Sequence, residues 1–352
     1  MEGVYALLRP LLFALDPHAA HAAGTAALWP IEHVAPLRTM VRAYCRPPAS
    51  LRTTVMGLEF PSPVGLAGGF DKEARCPRAL AALGFGFVEL GTVTARGQEA
   101  NPLPNLFRLP ADRALINRLG FPNEGADAVV ARFVAHGGAK AVGVPVGFSI
   151  GKSRVVDVGD DPAPVLADYL ESFRAVHAAS DFVVVNVSSP NTRNLRAMQG
   201  PQLARALLAG LAEENARLGR KPLLVKIAPD LGDAELEALL AVVDEVKLDG
   251  VVATNTTIRR EGLRTEALRV RMVGAGGLSG PPLRARALEI VSRVRRALPK
   301  VAVIGVGGIE TGAHARAFLD AGADLVQLYT AFIYRGPLAA RDIARELALL
   351  AS

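Results

Sequence analysis

The stretch NVSSPNTRNLR, residues 186–196, places amides and hydroxyls directly after the apolar run DFVVV. A continuous Val/Phe run is typical of a strand buried on both faces, so the polar residues at its carboxyl end form either a turn or a site. Ser189 could act in proton transfer or cap a helix. No His is near it in the sequence, which disfavours a Ser-His-Asp hydrolase.

A set of asparagines falls at predicted strand ends or in a long insertion. An amide both donates and accepts hydrogen bonds, so the set suits a planar ligand with alternating carbonyl and N–H groups. Each asparagine alone is more often a turn residue. The set comprises Asn117, Asn186, Asn191 and Asn255.

Two lysines are candidates for contact with an anion. Lys226 is the only charge within the apolar segment LLVKIA, where a buried ammonium is costly unless an anion meets it. The alternative is a solvated lysine at a strand end. Lys72, in GGFDK, could face an anion or pair with Asp71, and the sequence leaves both open.

Two glycine-rich segments resemble a phosphate cradle. IGVGGI is followed by a predicted helix from Thr311, and GGLSG (276–280) precedes another helix. Backbone amides and a helix start favour an anion, although tight turns are the alternative for each segment. Their positions near the last strands match the phosphate site of α/β barrels, which favours a phosphorylated cofactor.

These residues need a scaffold, and from residue 63 onward short apolar strands alternate with helical patterns. Eight strand–helix units predict an α/β fold, a closed (β/α)8 TIM barrel, with an open doubly wound sheet as the alternative. The carboxyl ends of all strands then meet on one face, where the polar residues would line a pocket. The predicted strands span 63–69, 87–93, 144–151, 182–188, 222–228, 250–256, 302–308 and 325–330.

Two parts lie outside this alternation. Residues 94–125 form an insertion far longer than a usual loop, which we expect to cover the barrel mouth. Residues 1–52 precede the barrel domain, 53–352, and show two amphipathic stripes. They predict two short helices that either pack on the barrel wall or provide a membrane-surface or apolar-ligand element. The stripes are Val4, Leu7, Leu8, Leu11, Leu12 and Leu15, then Val34, Leu37, Val41 and Tyr44.

Composition excludes several classes of function. The formal charge is +6, but the arginines are scattered and aromatic residues are sparse, so no nucleic-acid partner is predicted. The two cysteines, Cys45 and Cys76, have no CxxC spacing, and no metal site is predicted. Arg9 and Pro10 interrupt the first apolar run, which disfavours a signal peptide, and no apolar stretch is long enough to span a membrane.

The chain resembles the class 2, quinone-dependent and membrane-associated dihydroorotate dehydrogenases. Ten ordered motifs, spread over nearly the whole chain, carry the resemblance. They are LDPHAAH, GLAGGFDK, FGFVELGTVT, LINRLGF, NVSSPNT, VKIAPD, VATNTT, GGLSG, IGVGGI and LVQLYT.

The resemblance implies an FMN enzyme that oxidises dihydroorotate to orotate in pyrimidine biosynthesis and reduces a membrane quinone. Ser189 would be the base, and Thr192 and Phe121 would shape its proton relay. The residues matching substrate contacts are Lys72, Asn117, Arg118, Leu119, Gly120, Phe121, Asn186, Asn191, Asn255 and Thr256. Those matching FMN contacts are Gly68, Gly69, Lys72, Thr92, Ser149, Asn186, Lys226, Thr254, Gly280, Gly308, Tyr329 and Thr330.

By the same resemblance, His21 and Arg108 match quinone-site positions, between the N-terminal helices and the flavin. The protein would rest peripherally on the cytoplasmic face of the cell membrane, with no obligatory protein partner. One departure is SIGKS, where Ser149 replaces a family asparagine that contacts FMN. The alternatives are a soluble relative that uses fumarate or NAD, and a phosphate-ligand binding protein without redox chemistry.

Overall fold

The computed structural model describes residues 3–159 and 161–350, with side chains from residue 5 onward, so the predicted contribution of the Val4 side chain lies outside the described part. Thirteen strands occur in this part. They are β1 Thr53–Val55, β2 Leu58–Phe60, β3 Val64–Leu66, β4 Val88–Val93, β5 Leu106–Leu109, β6 Ala114–Asn117, β7 Val146–Ile150, β8 Phe182–Asn186, β9 Leu223–Ile227, β10 Gly250–Ala253, β11 Gly277–Ser279, β12 Ala302–Val306 and β13 Leu325–Leu328.

Eight of these strands close into a barrel, in the order β3-β4-β7-β8-β9-β10-β12-β13 and back to β3. Every neighbouring pair is parallel. The predicted (β/α)8 barrel is therefore confirmed, and its eight strands are those the alternation indicated. Most strands end earlier than expected because the terminal Gly, Asn, Ser and Thr residues form loops at the barrel mouth.

The helices outside and around the barrel follow in chain order. They are α1 Gly3–Ala14, α2 Pro17–His33, α3 Ala35–Cys45, α4 Pro77–Ala82, α5 Ala126–Ala135, α6 Gly138–Val142, α7 Ala163–His177, α8 Pro201–Arg217, α9 Asp233–Val246, α10 Ala267–Val273, α11 Arg284–Ala297, α12 Gly312–Asp320, α13 Thr330–Arg335 and α14 Ala339–Leu349.

The two ends of the barrel are closed differently. The β1–β2 hairpin covers the amino-terminal end, where Phe60 packs edge-on against Phe87, with ring centroids 5.4 Å apart. At the other end the 94–125 insertion contributes β5 and β6, which pair with each other, and β6 also pairs with β11, so the three strands form a small antiparallel sheet. The amino-terminal end of the barrel is thus filled by packed side chains. A pocket can form only at the carboxyl ends of the strands, between the barrel and the insertion that covers it.

The N-terminal segment forms three helices where two were expected. The Ala-rich α2 lacks a continuous apolar stripe, so periodicity did not reveal it, and Pro30 lies inside this helix rather than marking its end. Asp16 caps its first turn by accepting from the backbone N–H of His18 at 2.9 Å. Glu32 is buried, where it pairs with Arg78 at 2.7 Å and caps α4, so α2 is fastened to the barrel wall.

Candidate active site

A pocket at the carboxyl ends of the barrel strands brings together most of the predicted site residues. Its wall also includes backbone and side chains of the insertion, which closes the pocket over the barrel. Leu106, Leu115, Ser279, Ile309 and Glu310 add to the wall. The predicted residues that line it are Gly68, Gly69, Lys72, Thr92, Asn117, Leu119, Gly120, Phe121, Asn186, Ser189, Asn191, Lys226, Thr254, Asn255, Thr256, Gly280, Gly308, Tyr329 and Thr330.

One side of the pocket is a network of amides and hydroxyls centred on Asn186. Its Nδ2 donates to Thr92 Oγ1 at 3.0 Å, and its Oδ1 accepts from Asn255 Nδ2 at 3.3 Å. Tyr169, which is buried between α7 and the barrel strands, donates from its hydroxyl to the Asn186 carbonyl at 2.8 Å. Because the neighbouring strands supply these partners, the amide has a set orientation towards a planar ligand.

Ser189 lies beside a second amide pair that reaches across to the insertion. Its Oγ is 3.2 Å from the backbone N of Asn191, which donates to it. The Asn191 side chain in turn donates to Asn117 Oδ1 at 3.0 Å. Ser189 and the two amides therefore form one contiguous polar surface, supplied by the β8 loop and by β6.

The barrel interior below the pocket contains a buried charged group. Lys226 on β9 is 3.4 Å from the carboxylate of Glu89 on β4, and Gln327 on β13 donates to the same carboxylate at 2.7 Å. The Gln327 Oε1 atom is buried and has no hydrogen-bond partner among the described residues. Each residue is the only charged or amide side chain within its strand, yet only Lys226 was singled out from the sequence.

Lys72 is held against the glycine loop after β3. Its Nζ donates to the carbonyl of Gly69 at 2.5 Å, so the predicted alternative of a direct pair with Asp71 is not formed; Asp71 instead accepts from the backbone of Arg75 and Cys76. Burial lowers the pKa of Lys72 to about 8, against the opposing effect of Asp71 and Glu73. Near neutral pH the Lys72 side chain is therefore a cation, and an anionic ligand would offset the free-energy cost of burying its charge.

Three of the residues predicted for catalysis, substrate binding or FMN binding lie outside the pocket lining. Ser149 is fully buried behind Thr92, at 2.9 Å between hydroxyl oxygens, so it reaches the pocket only through that residue. The Arg118 guanidinium turns away and donates to the carbonyls of Val273 at 2.6 Å and of Ala275. Thr192 Oγ1 is buried without a hydrogen-bond partner in the described part of the chain.

The two predicted quinone-site residues lie in separate grooves. The α2 groove, between one face of α2 and the loops at the barrel mouth, contains His21, Trp29, Phe70 and part of Tyr329. Burial, with smaller effects of Lys72 and His18, lowers the pKa of His21 to about 4, so its imidazole is neutral at pH 7.

Arg108 lines the other groove, near the end of α1. Its guanidinium donates to the carbonyls of Phe13 at 3.2 Å and Leu15 at 2.8 Å and lies over the Phe13 ring. These contacts occupy a carbonyl in the last turn of α1 and one just after its end, where carbonyls have no partner within the helix. In this conformation Arg108 fastens α1 to the insertion and does not share a groove with His21.

Comparison with known proteins decides the family. Residues 50–350 match the family model described as dihydroorotate dehydrogenase. The chain belongs to this family. It is 48% identical over 98% of its length to a "Dihydroorotate dehydrogenase (quinone)" of Rhodococcus opacus and 47% identical over 98% to one of Thermobifida fusca, covering 94% and 92% of those proteins.

Solved structures of dihydroorotate dehydrogenases agree with this. The crystal structure of the Eimeria tenella enzyme in complex with ferulenol has a TM-score of 0.83 and 36% sequence identity, covering 95% of this chain and 91% of that one. The resemblance inferred from the ten motifs is thus confirmed, class included, because the curated relatives carry the quinone-dependent name.

Besides the additional wall residues, two buried polar residues inside the barrel of this dihydroorotate dehydrogenase were missed from the sequence. Glu89 and Gln327 interrupt the apolar runs FVEL and LVQL as Lys226 interrupts its own strand. A polar side chain that points into a barrel is costly unless it is paired. Every lone charged or amide side chain in an apolar barrel strand is therefore a candidate site residue, and both Glu89 and Gln327 meet this criterion.

Proposed function

We propose that this protein oxidises dihydroorotate to orotate and passes the electrons to a quinone, a step of pyrimidine biosynthesis. The observation that carries the proposal is the single pocket that unites Ser189 with the amides of Asn117, Asn191 and Asn255 and with two lysines. The Ser189 hydroxyl suits the proton that is removed, and the paired amides suit the ring amides of this substrate. A lysine cation suits the carboxylate of the substrate.

Substrate binding is assigned to the part of the pocket wall formed by the insertion and by the loops after β3, β8 and β10. Lys72 supplies the positive charge for the substrate carboxylate. Asn117, Asn191 and Asn255 present both donors and acceptors to the ring, and Thr256 closes this side. The backbone of residues 119 and 120 contributes the remaining contacts, whereas Arg118 supports the insertion from behind.

Proton removal is assigned to Ser189. Its Oγ takes the proton from C5 of the substrate while hydride leaves C6. A serine hydroxyl is a weak base, so the proton must leave through a relay. We assign the next group of that relay to Thr192, whose Oγ1 is buried without a hydrogen-bond partner among the described residues. Phe121, buried with a left-handed φ of 56°, lines the same pocket as Ser189 and is assigned to excluding bulk water from it.

FMN fits the rest of the pocket. Gly280 and Gly308 both have positive φ, and a Cβ on Gly308 would lie 2.7 Å from the Gly280 carbonyl, so this cradle admits backbone groups only. Bound FMN supplies a two-electron acceptor for the hydride. Lys226 would stabilise negative charge on its reduced ring, and Gln327 Oε1, which has no hydrogen-bond partner in the described part of the chain, would offer an acceptor. The other residues assigned to hold it are Gly68, Gly69, Thr92, Asn186, Thr254, Tyr329 and Thr330.

The acceptor side is assigned to the N-terminal helices. Leu7 and Leu11 on α1 are 78% and 70% exposed, and Trp29 on α2 is 60% exposed. Large apolar side chains exposed in this way indicate a surface that contacts a membrane or another partner. We assign it to peripheral contact with the cytoplasmic face of the cell membrane. His21, which lines the α2 groove, is assigned to the path of the quinone, and Arg108 is assigned to holding α1 against the insertion. No helix in residues 3–159 and 161–350 is long and apolar enough to cross a membrane.

An anaerobic titration tests the proposal. The purified protein should be yellow, should bleach when dihydroorotate is added and should regain its colour when a soluble quinone follows. A yellow protein that dihydroorotate does not bleach would keep the flavin assignment and remove the substrate. A colourless protein that binds no added FMN would remove the cofactor as well.

A further inference from the structure

Arg196 contacts the loops that follow three consecutive barrel strands. It lies in the 3-10 helix Leu195–Gln199, in the same loop as Ser189. Its guanidinium donates to the carbonyl of Ser188 at 3.1 Å, to the carboxylate of Asp230 at 2.8 Å and to the carbonyl of Thr256 at 3.0 Å. These partners follow β8, β9 and β10, so one side chain ties the three loops together.

Asp230 extends this connection on the far side. Its carboxylate accepts from the Thr257 hydroxyl and, at 3.0 Å, from the backbone N–H of Ile258. The Arg196 and Asp230 side chains are only 23% and 10% exposed, so solvent competes little with the pair. A planar guanidinium directed at three acceptors sets geometry in a way that a flexible lysine ammonium does not.

The contact with the Ser188 carbonyl bears directly on Ser189. Ser188 is held at its other polar atoms as well: its N–H donates to Asn186 Oδ1 at 3.3 Å, and its hydroxyl accepts from Asn255 Nδ2 at 3.0 Å. Because the peptide group is planar, fixing the Ser188 carbonyl fixes the plane from which the Ser189 side chain projects. Arg196 supplies the only one of these contacts that comes from outside the pocket lining.

We propose that Arg196, paired with Asp230, is a positioning residue that sets the Ser189 hydroxyl relative to the substrate ring. This inference rests on the proposed function, in which Ser189 removes the C5 proton. Arg196 does not itself line the pocket; it acts on Ser189 through the Ser188 carbonyl, and its bond to the Thr256 carbonyl holds the neighbouring loop in place. A displacement of about 1 Å in a reacting group can reduce a rate by about 100-fold, so loss of the clamp should slow substrate oxidation far more than it weakens binding.

The test compares Arg196→Ala and Arg196→Lys with Arg286→Ala in the FMN-loaded protein. Arg286 is the matched control because its guanidinium also donates to loop carbonyls after β9, those of Pro229 at 3.0 Å and Leu231 at 2.7 Å, without touching the Ser189 loop. Three quantities are measured: the anaerobic rate of flavin reduction by dihydroorotate, the affinity for orotate and the melting temperature. Low concentrations of guanidinium chloride are then added to Arg196→Ala.

We expect Arg196→Ala to reduce flavin about 100-fold more slowly and Arg196→Lys about tenfold more slowly, with orotate affinity within about threefold of wild type. Added guanidinium should restore part of the rate to Arg196→Ala only, and Arg286→Ala should react at the wild-type rate. If Arg196→Ala does not fold, the lysine variant decides by the same rate and affinity.

Wild-type reduction rates in the Arg196 variants would overturn the inference. So would a loss of rate that Arg286→Ala shares, or one that accompanies lost orotate binding and is not restored by guanidinium, because each indicates general structural damage. In these cases the wild-type protein still oxidises dihydroorotate and the proposed function stands. A wild-type flavin that dihydroorotate does not reduce would overturn both.

Discussion

Replacing Gly308 by alanine adds one methyl group to the glycine cradle, and its cost can be worked from the backbone. Gly308 has φ of 68°, in the left-handed region, and the new Cβ would lie 2.7 Å from the Gly280 carbonyl and 3.0 Å from Arg284 Cβ. The left-handed conformation costs an alanine about 1–2 kcal/mol. Overpacking against backbone adds about 1–3 kcal/mol, because a carbonyl cannot rotate away as a side chain can.

Gly262 allows the cost of the left-handed conformation to be measured apart from the cost of overpacking. It has φ of 73°, nearly the same as Gly308, but a Cβ there meets no atom within 4 Å. Gly262→Ala therefore incurs only the conformational cost. The difference between the variants, about 1–3 kcal/mol, belongs to the displaced cradle and corresponds to about 5- to 150-fold in FMN affinity, at about 1.4 kcal/mol per tenfold.

The assay is the quenching of FMN fluorescence during titration into deflavinated protein, with the melting temperature of each variant recorded alongside. We expect Gly308→Ala to bind FMN at least fivefold more weakly than Gly262→Ala. Equal FMN affinity in the two variants would refute the assignment of this cradle to the cofactor, even if both melt at a lower temperature than the wild type.

Three further predictions concern other parts of the site. Ser189→Ala should retain FMN but lose dihydroorotate-driven flavin reduction by about 100-fold or more in stopped-flow measurements; unchanged reduction would remove Ser189 from the mechanism. The kcat/KM for dihydroorotate should fall as pH rises through about 8, where the Lys72 ammonium loses its proton. Lys72→Met should abolish this decrease, and a decrease that persists in the variant would show that another group causes it. Leu7→Ser combined with Leu11→Ser should weaken co-sedimentation with lipid vesicles at an unchanged melting temperature, and equal sedimentation would mean that α1 does not hold the membrane.

The barrel and most of the pocket were predictable because both follow from local patterns. Apolar strands at regular intervals indicate parallel β–α units, and in such a barrel all carboxyl ends meet on one face. Lys226 could be placed inside the barrel because a lone charge in an apolar strand needs a partner. The identity of that partner, Glu89, depends on which strands are neighbours, and no local pattern contains this information.

Side-chain direction was harder to predict than position. Asn117 and Arg118 are adjacent in the sequence and were assigned to one site, but Asn117 faces the pocket while Arg118 reaches carbonyls on the other side. Successive side chains along an extended segment point to opposite faces, which is why Arg118 points away from the pocket that Asn117 faces. Helix α2 was missed for a different reason, because an Ala-rich helix has too little apolar contrast to show a period.

The arrangement of the two cavities predicts that the two halves of the reaction can be altered separately. Ser189, Asn117 and Asn191 lie on the β6 and β8 side of the central pocket, and Asn255 follows β10. Lys72 and Tyr329, together with Leu106 and Leu119, line both this pocket and the α2 groove. A change at Ser189 or Arg196 therefore leaves this shared wall intact, and a change on α2 leaves the substrate amides intact. Reduction by dihydroorotate and reoxidation by quinone should accordingly respond to different substitutions, with Lys72 and Tyr329 among the residues placed to affect both.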